Sequence, residues 1–263
     1  MSERSSGVAI RVRGIRKAYD GHAVLRGVDL DVAAGEILVI IGGSGEGKSV
    51  LLRQIIGLEK PDRGEIHLGD LRVDEYRRIP IEEKPFHMAM VFQSSALLNS
   101  LTVAENVSLA LREHRVVPRR EIPRIVSEAL EQVDMEGTEQ KMPSELSGGM
   151  RKRVAIARAL AMKADVILYD EPTAELDPIL TEEVGRVIRR IQERRRPTQV
   201  VVTHNLPLAR EIADHVAVLK EGSVVDFTTG DRFFRSEHPH TRNFIRAARV
   251  AGVEAAAGSG GES

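Results

Sequence analysis

Residues 42–49 read GGSGEGKS, between the apolar run EILVII at 36–41 and the helix-patterned SVLLRQIIGL at 49–58. This stretch matches the phosphate-loop pattern of glycine, four residues and then Gly-Lys-Ser. Glycines let the backbone curl so that successive N–H groups face a polyphosphate, and the following helix adds its positive end. A glycine-rich turn with a chance lysine is the alternative, but the flanking strand and helix favour a phosphate site.

The side chains of this loop predict specific roles. Lys48 is expected to neutralise the β- and γ-phosphates, and the Ser49 hydroxyl is expected to ligate Mg²⁺. A carboxylate near phosphates is unfavourable unless it points outward, so Glu46 is expected to face solvent or an arginine. The residues predicted to line the bound nucleotide in this loop are Gly42, Gly43, Ser44, Gly45, Glu46, Gly47, Lys48, Ser49 and Val50.

A second motif, DVILYDE at 165–171, supplies acidic groups. The apolar strand is expected to deliver Asp170 to the Mg²⁺ shell and to place Glu171 where it polarises an attacking water. Two acids at a strand end are also common as solvated turn residues. The phosphate loop in the same chain favours the site over the turn.

Composition and charge exclude several classes of protein. Hydrophobic residues make up 42% and charged residues 29%, which is typical of a globular protein and not of a disordered one. The formal net charge of -1 argues against a nucleic-acid partner. There is no cysteine, which excludes disulfides and thiolate metal sites and fits a reducing compartment.

No signal core is seen at the start, and the run Ile37–Ile41 is far shorter than the roughly 18 apolar residues of a membrane span. Any membrane role is therefore expected to depend on a partner subunit.

The remaining pattern predicts the organisation of the chain. Short strands open it (VAIRVRG, VDLDV, EILVII), and a helical insert follows at about 94–155, with VAENVSLALREH and IPRIVSEALEQV as its helices. DVILYD and QVVVTH are then separated by the helix-patterned TEEVGRVIRRIQERR. Strands alternating with helices predict an α/β fold with a parallel sheet covered on both faces. A single domain is predicted over 8–245 and a tail over 246–263, whose end, AAAGSGGES, is expected to be disordered.

A third motif, LSGGM at 146–150, precedes RKRVAIARAL. On chemistry alone Ser147 is a good helix cap, and for an isolated Ser-Gly-Gly that would be the better interpretation. Here the motif lies between the phosphate loop and the acid-ended strand. In this order the motifs resemble the ATP-binding cassette family over nearly the whole chain. The resemblance implies a P-loop NTPase fold with a RecA-like core, an antiparallel β subdomain and an inserted α-helical subdomain that bears LSGGM.

The resemblance also implies roles for residues that are weak signals alone. Gln93 in MVFQSSALL matches the Q-loop, which senses the metal site, and His204 after QVVVT matches the histidine that contacts the γ-phosphate. Tyr19 in RKAYDG matches the aromatic residue that stacks on adenine. The implied catalytic residues are Glu171, His204, Gln93 and Lys48, and the implied cofactors are ATP and Mg²⁺, with the metal held by Ser49, Gln93 and Asp170.

A second copy of the chain is the first implied partner. By the resemblance, the groups that it would supply across a nucleotide-sandwich dimer are Ser147, Gly148, Gly149 and Asp177. Asp177 has an ordinary alternative as the cap of a helix that begins near Pro178.

Two residues depart from the usual wording of the family: Gly43 replaces a frequent proline, and Glu175 replaces a small residue. These departures bear on nucleotide affinity and turnover, not on the reaction class.

A narrower resemblance rests on LSGGM, on FQSSALLNSLTVAENVSLALREH and on HPHTRNFI near the end. These stretches resemble the ATPases of Mce-type (Mla-like) lipid transport systems. This implies transport of phospholipid or another hydrophobic molecule between envelope membranes, a partner permease, an Mce-domain binding protein and a position at the cytoplasmic face of the inner membrane. The alternatives are an importer of compatible solutes or amino acids, a soluble cassette ATPase outside transport, and a regulatory module without turnover, against which Glu171 and His204 argue.

Overall fold

Ten strands form two sheets in the computed structural model, which describes residues 7–115 and 117–258. An antiparallel sheet has the order β2-β1-β4-β5, and a larger sheet has the order β10-β9-β3-β8-β7-β6. The strands are β1 (Ile10–Tyr19), β2 (His22–Val32), β3 (Ile37–Ile41), β4 (Arg63–Leu68), β5 (Leu71–Arg72), β6 (Met88–Val91), β7 (Val166–Asp170), β8 (Thr198–Thr203), β9 (His215–Lys220) and β10 (Ser223–Thr229).

Nine α-helices are present in the described part of the chain. Within that part, no helix is both long and apolar enough to cross a bilayer. The helices are α1 (Lys48–Ile55), α2 (Val73–Arg78), α3 (Val103–Glu113), α4 (Ile122–Glu131), α5 (Gly148–Ala161), α6 (Pro178–Arg195), α7 (Leu206–Ile212), α8 (Gly230–Phe233) and α9 (Pro239–Gly258).

Successive side chains of a strand point to opposite faces of the sheet, and both faces of the larger sheet are buried. In β3, Ile37, Val39 and Ile41 pack into a core with the helices α3 to α7. Leu38 and Ile40 pack into a second core with α1 and the antiparallel sheet. The five strands from β9 to β6 run parallel, but β10 pairs antiparallel with β9, so the sheet is mixed and not wholly parallel as predicted.

The strand order brings distant motifs to one edge. β8 lies between β3 and β7, with Ile41 opposite Thr203 and Val202 opposite Asp170. Since these strands are parallel, their carboxyl ends meet at the same edge, where α/β proteins bind their ligands. The segments that follow β3, β6, β7 and β8 contain every residue that the sequence assigns to catalysis.

The middle of the chain is helical. Thr102 caps α3 through a hydrogen bond that its hydroxyl accepts from the Glu105 backbone N–H at 3.2 Å. α3, α4 and α5 pack on one another, and α5 continues past the predicted insert boundary near 155 to Ala161, where it joins the core under the sheet. At the end of the chain α9 reaches Gly258, four residues into the stretch predicted to be disordered, while 259–263 lie outside the described residues.

Candidate active site

The phosphate loop leaves β3 and curls directly into α1. Gly45 and Gly47 have φ values of 81° and 95°, which glycine adopts without strain. A Cβ at Gly47 would lie 2.8 Å from the Leu25 side chain and 3.1 Å from the Val24 carbonyl oxygen, so a larger residue would force its neighbours to shift. No side chain caps α1 at its first residue, which leaves its N-terminal N–H groups available to an anion.

Lys48 is the buried cation of this loop. Its Nζ donates hydrogen bonds to the carbonyl oxygens of Gly42 at 2.9 Å and Gly43 at 2.8 Å. It also lies 3.7 Å from Oε1 of Glu171. The ammonium group is therefore held at the mouth of the loop by two carbonyls and one carboxylate, which is the position needed to meet a polyphosphate.

The two acids at the end of β7 reach the loop from the other side. The Ser49 hydroxyl donates to Oδ1 of Asp170 at 2.7 Å. Glu171 has a left-handed backbone with φ of 47°, and its N–H donates to the Val202 carbonyl at 2.9 Å. This turn directs the Glu171 carboxylate back toward the phosphate loop, and its side chain is 12% exposed.

His204 follows β8 and contacts the same carboxylate. Its Nδ1 lies 3.0 Å from Oε2 of Glu171, and its backbone N–H donates to that oxygen at 3.4 Å. The imidazole is 66% exposed, so it can contact a ligand without displacing other protein groups. Gln93, beyond β6, is also exposed and faces the same space.

One cavity of about 500 Å³ joins these groups. The size of the cavity and its cationic loop fit a nucleoside triphosphate. The oxygen atoms of Ser49, Asp170 and Gln93 are of the type that Mg²⁺ prefers, and the 2.7 Å contact between the first two shows that they converge. The residues lining the cavity are Val24, Ser44, Gly45, Gly47, Lys48, Ser49, Val50, Gln93, Glu171 and His204.

Glu46 was expected to face solvent or an arginine. Its side chain is half-buried, and Oε2 accepts a hydrogen bond from the backbone N–H of Glu221, at an exposed position in the turn between β9 and β10. This contact turns the carboxylate away from the cavity, and Glu46 is not among the residues that line it.

Tyr19 lies at the end of β1, outside the cavity lining. Its ring is 39% exposed, and its hydroxyl donates to Glu59. Lys17 Nζ lies 5.5 Å from the ring centroid. Burial raises the pKa of the Tyr19 hydroxyl, and so does its bond to Glu59. An exposed ring held by its hydroxyl can stack on a planar ligand, so the adenine contact stays a prediction.

The groups predicted to act across a dimer lie at two neighbouring helix starts. The Ser147 hydroxyl accepts from the Met150 N–H at 3.3 Å and caps α5, and Asp177 accepts from the Leu180 N–H at 2.9 Å and caps α6. Within the single chain, both residues therefore act as ordinary helix caps. A Cβ at Gly149 would lie 3.1 Å from the Leu180 side chain, so the two helix starts touch. Ser147 and Asp177 are exposed.

Two cations of α5 were missed by the sequence reasoning. Lys152 Nζ donates to the backbone carbonyl of Gln93, and Arg158 donates to the carbonyls of Ala96 at 2.7 Å and Ser95 at 3.0 Å. Burial lowers the pKa of both side chains. The stretch RKRVAIARAL predicts only the helix that follows LSGGM, although the lysine within its otherwise apolar face is a visible signal.

Comparison with known proteins identifies the family. The family model described as ABC transporter matches residues 25–174, which include the phosphate loop, LSGGM and the acid-ended strand. This chain belongs to the ABC transporter family. The ABC cassette is thus an ATPase, which confirms the predicted activity and the predicted binding of ATP.

Solved structures confirm the predicted P-loop NTPase fold of this ABC cassette. The dimeric ATP-binding cassette MJ0796, bound to ADP and phosphate in a post-hydrolysis state, is 31% identical with a TM-score of 0.74. That match covers 84% of this chain and 98% of the other. cbiO1 from Clostridium perfringens, part of the transporter complex cbiONQ, is 30% identical with a TM-score of 0.78 and covers 93% of this chain and 98% of its own.

Curated relatives of the ABC cassette carry different cargo names. The L-cystine transport system ATP-binding protein TcyN of Escherichia coli is 40% identical, and the match covers 90% of this chain and 97% of that protein. The probable ribonucleotide transport ATP-binding protein mkl of Mycobacterium leprae is 37% identical, over 94% of this chain and 71% of that protein. The lipid-transport subtype implied by the sequence is not among these names, and it stays a prediction.

Proposed function

We propose that this ABC ATPase powers a transporter by closing as a dimer on two ATP molecules. The observation that carries the proposal is the convergence of Lys48, Glu171 and His204 on one cavity at the carboxyl ends of parallel strands. These groups come from three separate segments, and a structural role explains none of the contacts as simply as phosphate chemistry does.

The chain's own residues divide the reaction between them. The loop N–H groups and Lys48 bind the β- and γ-phosphates, and this binding breaks the 3.7 Å contact of Lys48 with Glu171. The freed carboxylate then orients and deprotonates a water for in-line attack on the γ-phosphorus. His204 holds the γ-phosphate and fixes the carboxylate through the 3.0 Å contact. Bound at Ser49, Asp170 and Gln93, Mg²⁺ would offset the charge of the phosphates.

The second copy completes the site. The exposed Ser147 hydroxyl and the half-buried Gly148 lie at the start of α5, where the helix N-terminus can meet a γ-phosphate from outside, and Gly149 follows them, packed against Leu180. The exposed Asp177 lies beside them and reaches the same interface. Neither copy alone surrounds the transferred group, so closure and hydrolysis are coupled, and loss of phosphate lets the halves separate.

The names of the relatives favour an amino acid as the cargo and import as the direction of transport. TcyN is named for L-cystine, and YxeO of Bacillus subtilis, 40% identical over 90% of this chain, is named as a probable amino-acid import protein. Lipid transport with an Mce-domain partner is the second candidate, carried by LSGGM at 146–150 and HPHTRNFI at 238–245. In both cases the ATPase would lie at the cytoplasmic face of the plasma membrane and bind a permease.

The loop after Gln93 is the proposed permease contact. Leu98 is 46% exposed and Ala96 is exposed, while Leu97 packs against the core. An apolar patch beside a residue of the active site is suited to receive a helix from a membrane subunit.

Lys48→Ala tests the activity, with Lys163→Ala as the matched control because Lys163 is exposed and lies outside the cavity. We expect at least a 100-fold loss of phosphate release for the first variant and less than a twofold change for the second. The dimer is tested by Ser147→Cys and Gly45→Cys on separate copies, which should crosslink when ATP is trapped. Undiminished hydrolysis by Lys48→Ala, or no crosslink, would contradict the proposal.

The cargo is tested by purifying the permease with the ATPase and reconstituting both in liposomes. ATP hydrolysis stimulated by an amino-acid-loaded binding protein supports import. Stimulation by an Mce-domain protein with phospholipid vesicles supports the lipid alternative instead.

A further inference from the structure

The loop that carries Gln93 is held by its backbone from two sides. On one side Lys152 donates to the Gln93 carbonyl, and Arg158 donates to the carbonyls of Ser95 and Ala96. On the other side the amide of Asn106 donates to the Leu98 carbonyl at 3.1 Å and accepts from the Leu98 N–H at 2.8 Å. The loop between these anchors therefore moves only as far as α5 and α3 allow.

The backbone of this loop is unusual enough to need such anchors. Ser95 and Ala96 have φ values of 63° and 47°, a left-handed conformation that costs free energy in residues other than glycine. The two hydrogen bonds from Arg158 offset that cost. The bond from Lys152 is different, because Gln93 lies before the left-handed pair and needs no support of this kind.

Lys152 is also an unusual donor. It is 6% exposed and forms no ion pair within 4 Å in the part of the chain that the structure describes. A buried ammonium without an ion pair is rare in proteins. Burial lowers the pKa of Lys152, and so does Arg151, whereas the carboxylates of Glu175, Glu171 and Asp170 raise it from beyond ion-pair distance. Two of these three acids, Glu171 and Asp170, also belong to the proposed nucleotide site.

The same helix carries the residue that faces the second copy. Ser147 caps α5, and Lys152 follows five residues later, about 7.5 Å along the helix axis at 1.5 Å per residue. A helix is stiff over this length, so a shift of Ser147 toward a ligand moves Lys152 by a similar amount. The Gln93 carbonyl is bonded to Lys152 and moves with it.

We propose that Lys152 is a positioning residue that ties the Gln93 backbone to α5, so that seating of Ser147 on the second copy's nucleotide sets the Gln93 side chain at the metal site. The inference rests on the proposed dimeric ATPase and deepens it. It gives each copy a mechanical connection between the nucleotide that it holds and the nucleotide that it caps.

Lys152→Met tests the connection, because methionine keeps the apolar length and removes the donor. The measurement is phosphate release as a function of Mg²⁺ concentration at saturating ATP, with nucleotide binding measured separately. We expect the half-saturating Mg²⁺ concentration to rise about 10-fold and kcat to fall 10- to 100-fold, the range for loss of a charged hydrogen bond. Nucleotide affinity should change less than twofold, and Lys152→Arg should restore both values to within threefold.

Two comparisons separate this role from a structural one. Lys163→Met, at an exposed lysine just after α5, should match the unaltered protein. In a Gln93→Ala background Lys152→Met should add less than a twofold effect, because both act on the same group. Should the methionine variant fail to fold, Lys152→Gln, a shorter donor, should raise the Mg²⁺ requirement about threefold.

An unchanged Mg²⁺ requirement in the folded variant, or full additivity with Gln93→Ala, would overturn the inference. A lower melting temperature with an unchanged Mg²⁺ requirement would also overturn it, since it would assign Lys152 to stability alone. The proposed function fails on a different result: if Lys48→Ala hydrolyses ATP normally, the site itself is wrong.

Discussion

Glu171→Gln is the substitution that separates chemistry from binding in this ABC ATPase. The Glu171 carboxylate contacts Lys48 Nζ at 3.7 Å and His204 Nδ1 at 3.0 Å. Glutamine has the same shape and keeps an oxygen for one of these contacts. It cannot take a proton from water, so the predicted general base is lost while the phosphate-binding loop remains.

The size of each effect follows from the geometry. A positioned general base contributes about 10²- to 10⁴-fold to rate, which is about 3 to 5 kcal/mol of activation free energy. The charge pair of Lys48 and Glu171 at 3.7 Å has a gross Coulomb energy of about 4 kcal/mol at an effective dielectric constant near 20, much of it offset by desolvation. ATP no longer competes with this pair in the variant, so its affinity should be equal or up to about 10-fold higher.

The assay is single-turnover phosphate release, accompanied by ATP titration and size-exclusion chromatography. We expect turnover to fall at least 100-fold and an ATP-bound dimer to accumulate, because the shared ligand is no longer consumed. Glu193→Gln, at a glutamate on α6 that is 70% exposed, is the control and should behave as the unaltered protein does. If Glu171→Gln keeps a third or more of the normal rate, Glu171 is not the base.

Two further predictions concern the surface and the stability of the fold. Leu98→Asp should abolish co-purification with the permease and leave basal hydrolysis within twofold. Leu58→Asp, at a leucine that is 59% exposed, should leave both co-purification and hydrolysis unchanged. Retention of the permease by Leu98→Asp would place the docking surface elsewhere. Burial raises the pKa of Glu211, so the folded state disfavours its ionised form, and the destabilisation is absent below about pH 4 and grows as pH rises through the folded pKa. Glu211→Gln should therefore raise Tm at pH 7 and leave it unchanged near pH 4, and equal shifts at both pH values would contradict this.

Sequence patterns predicted β3, β7 and β8, the strands that end at the phosphate loop, at the paired acids and at His204. EILVII and DVILYD are continuous apolar runs, and they became β3 and β7 because parallel strands are covered on both sides. The strands β4, β5, β6, β9 and β10 were not predicted. RGEIHL begins with three exposed residues, and MAMV is only four residues long, so neither shows a clear period.

The contacts between motifs were beyond the sequence. The family resemblance implied that Glu171 and His204 share a site, but the left-handed turn that aims Glu171 depends on its bond to Val202 in the neighbouring strand. The partner of Glu46 could not be predicted, because it is a backbone N–H at Glu221, far away in sequence and without a side-chain signal. The partner of Lys152 is likewise a backbone group, the Gln93 carbonyl, so this contact could not be predicted, although a lysine on an apolar helix face was a visible signal.

The insertion of β8 between β3 and β7 has a consequence for biosynthesis. Ile37 pairs with Gln199, so the neighbour of the phosphate-loop strand leaves the ribosome long after the loop itself. A nascent chain that ends at residue 174 has every motif of the matched family region, yet β3 and β7 have nothing to bridge them. Hydrolytic competence should thus emerge only after Thr203 has emerged, and until then two unsatisfied strand edges are exposed to chaperones and to misassembly.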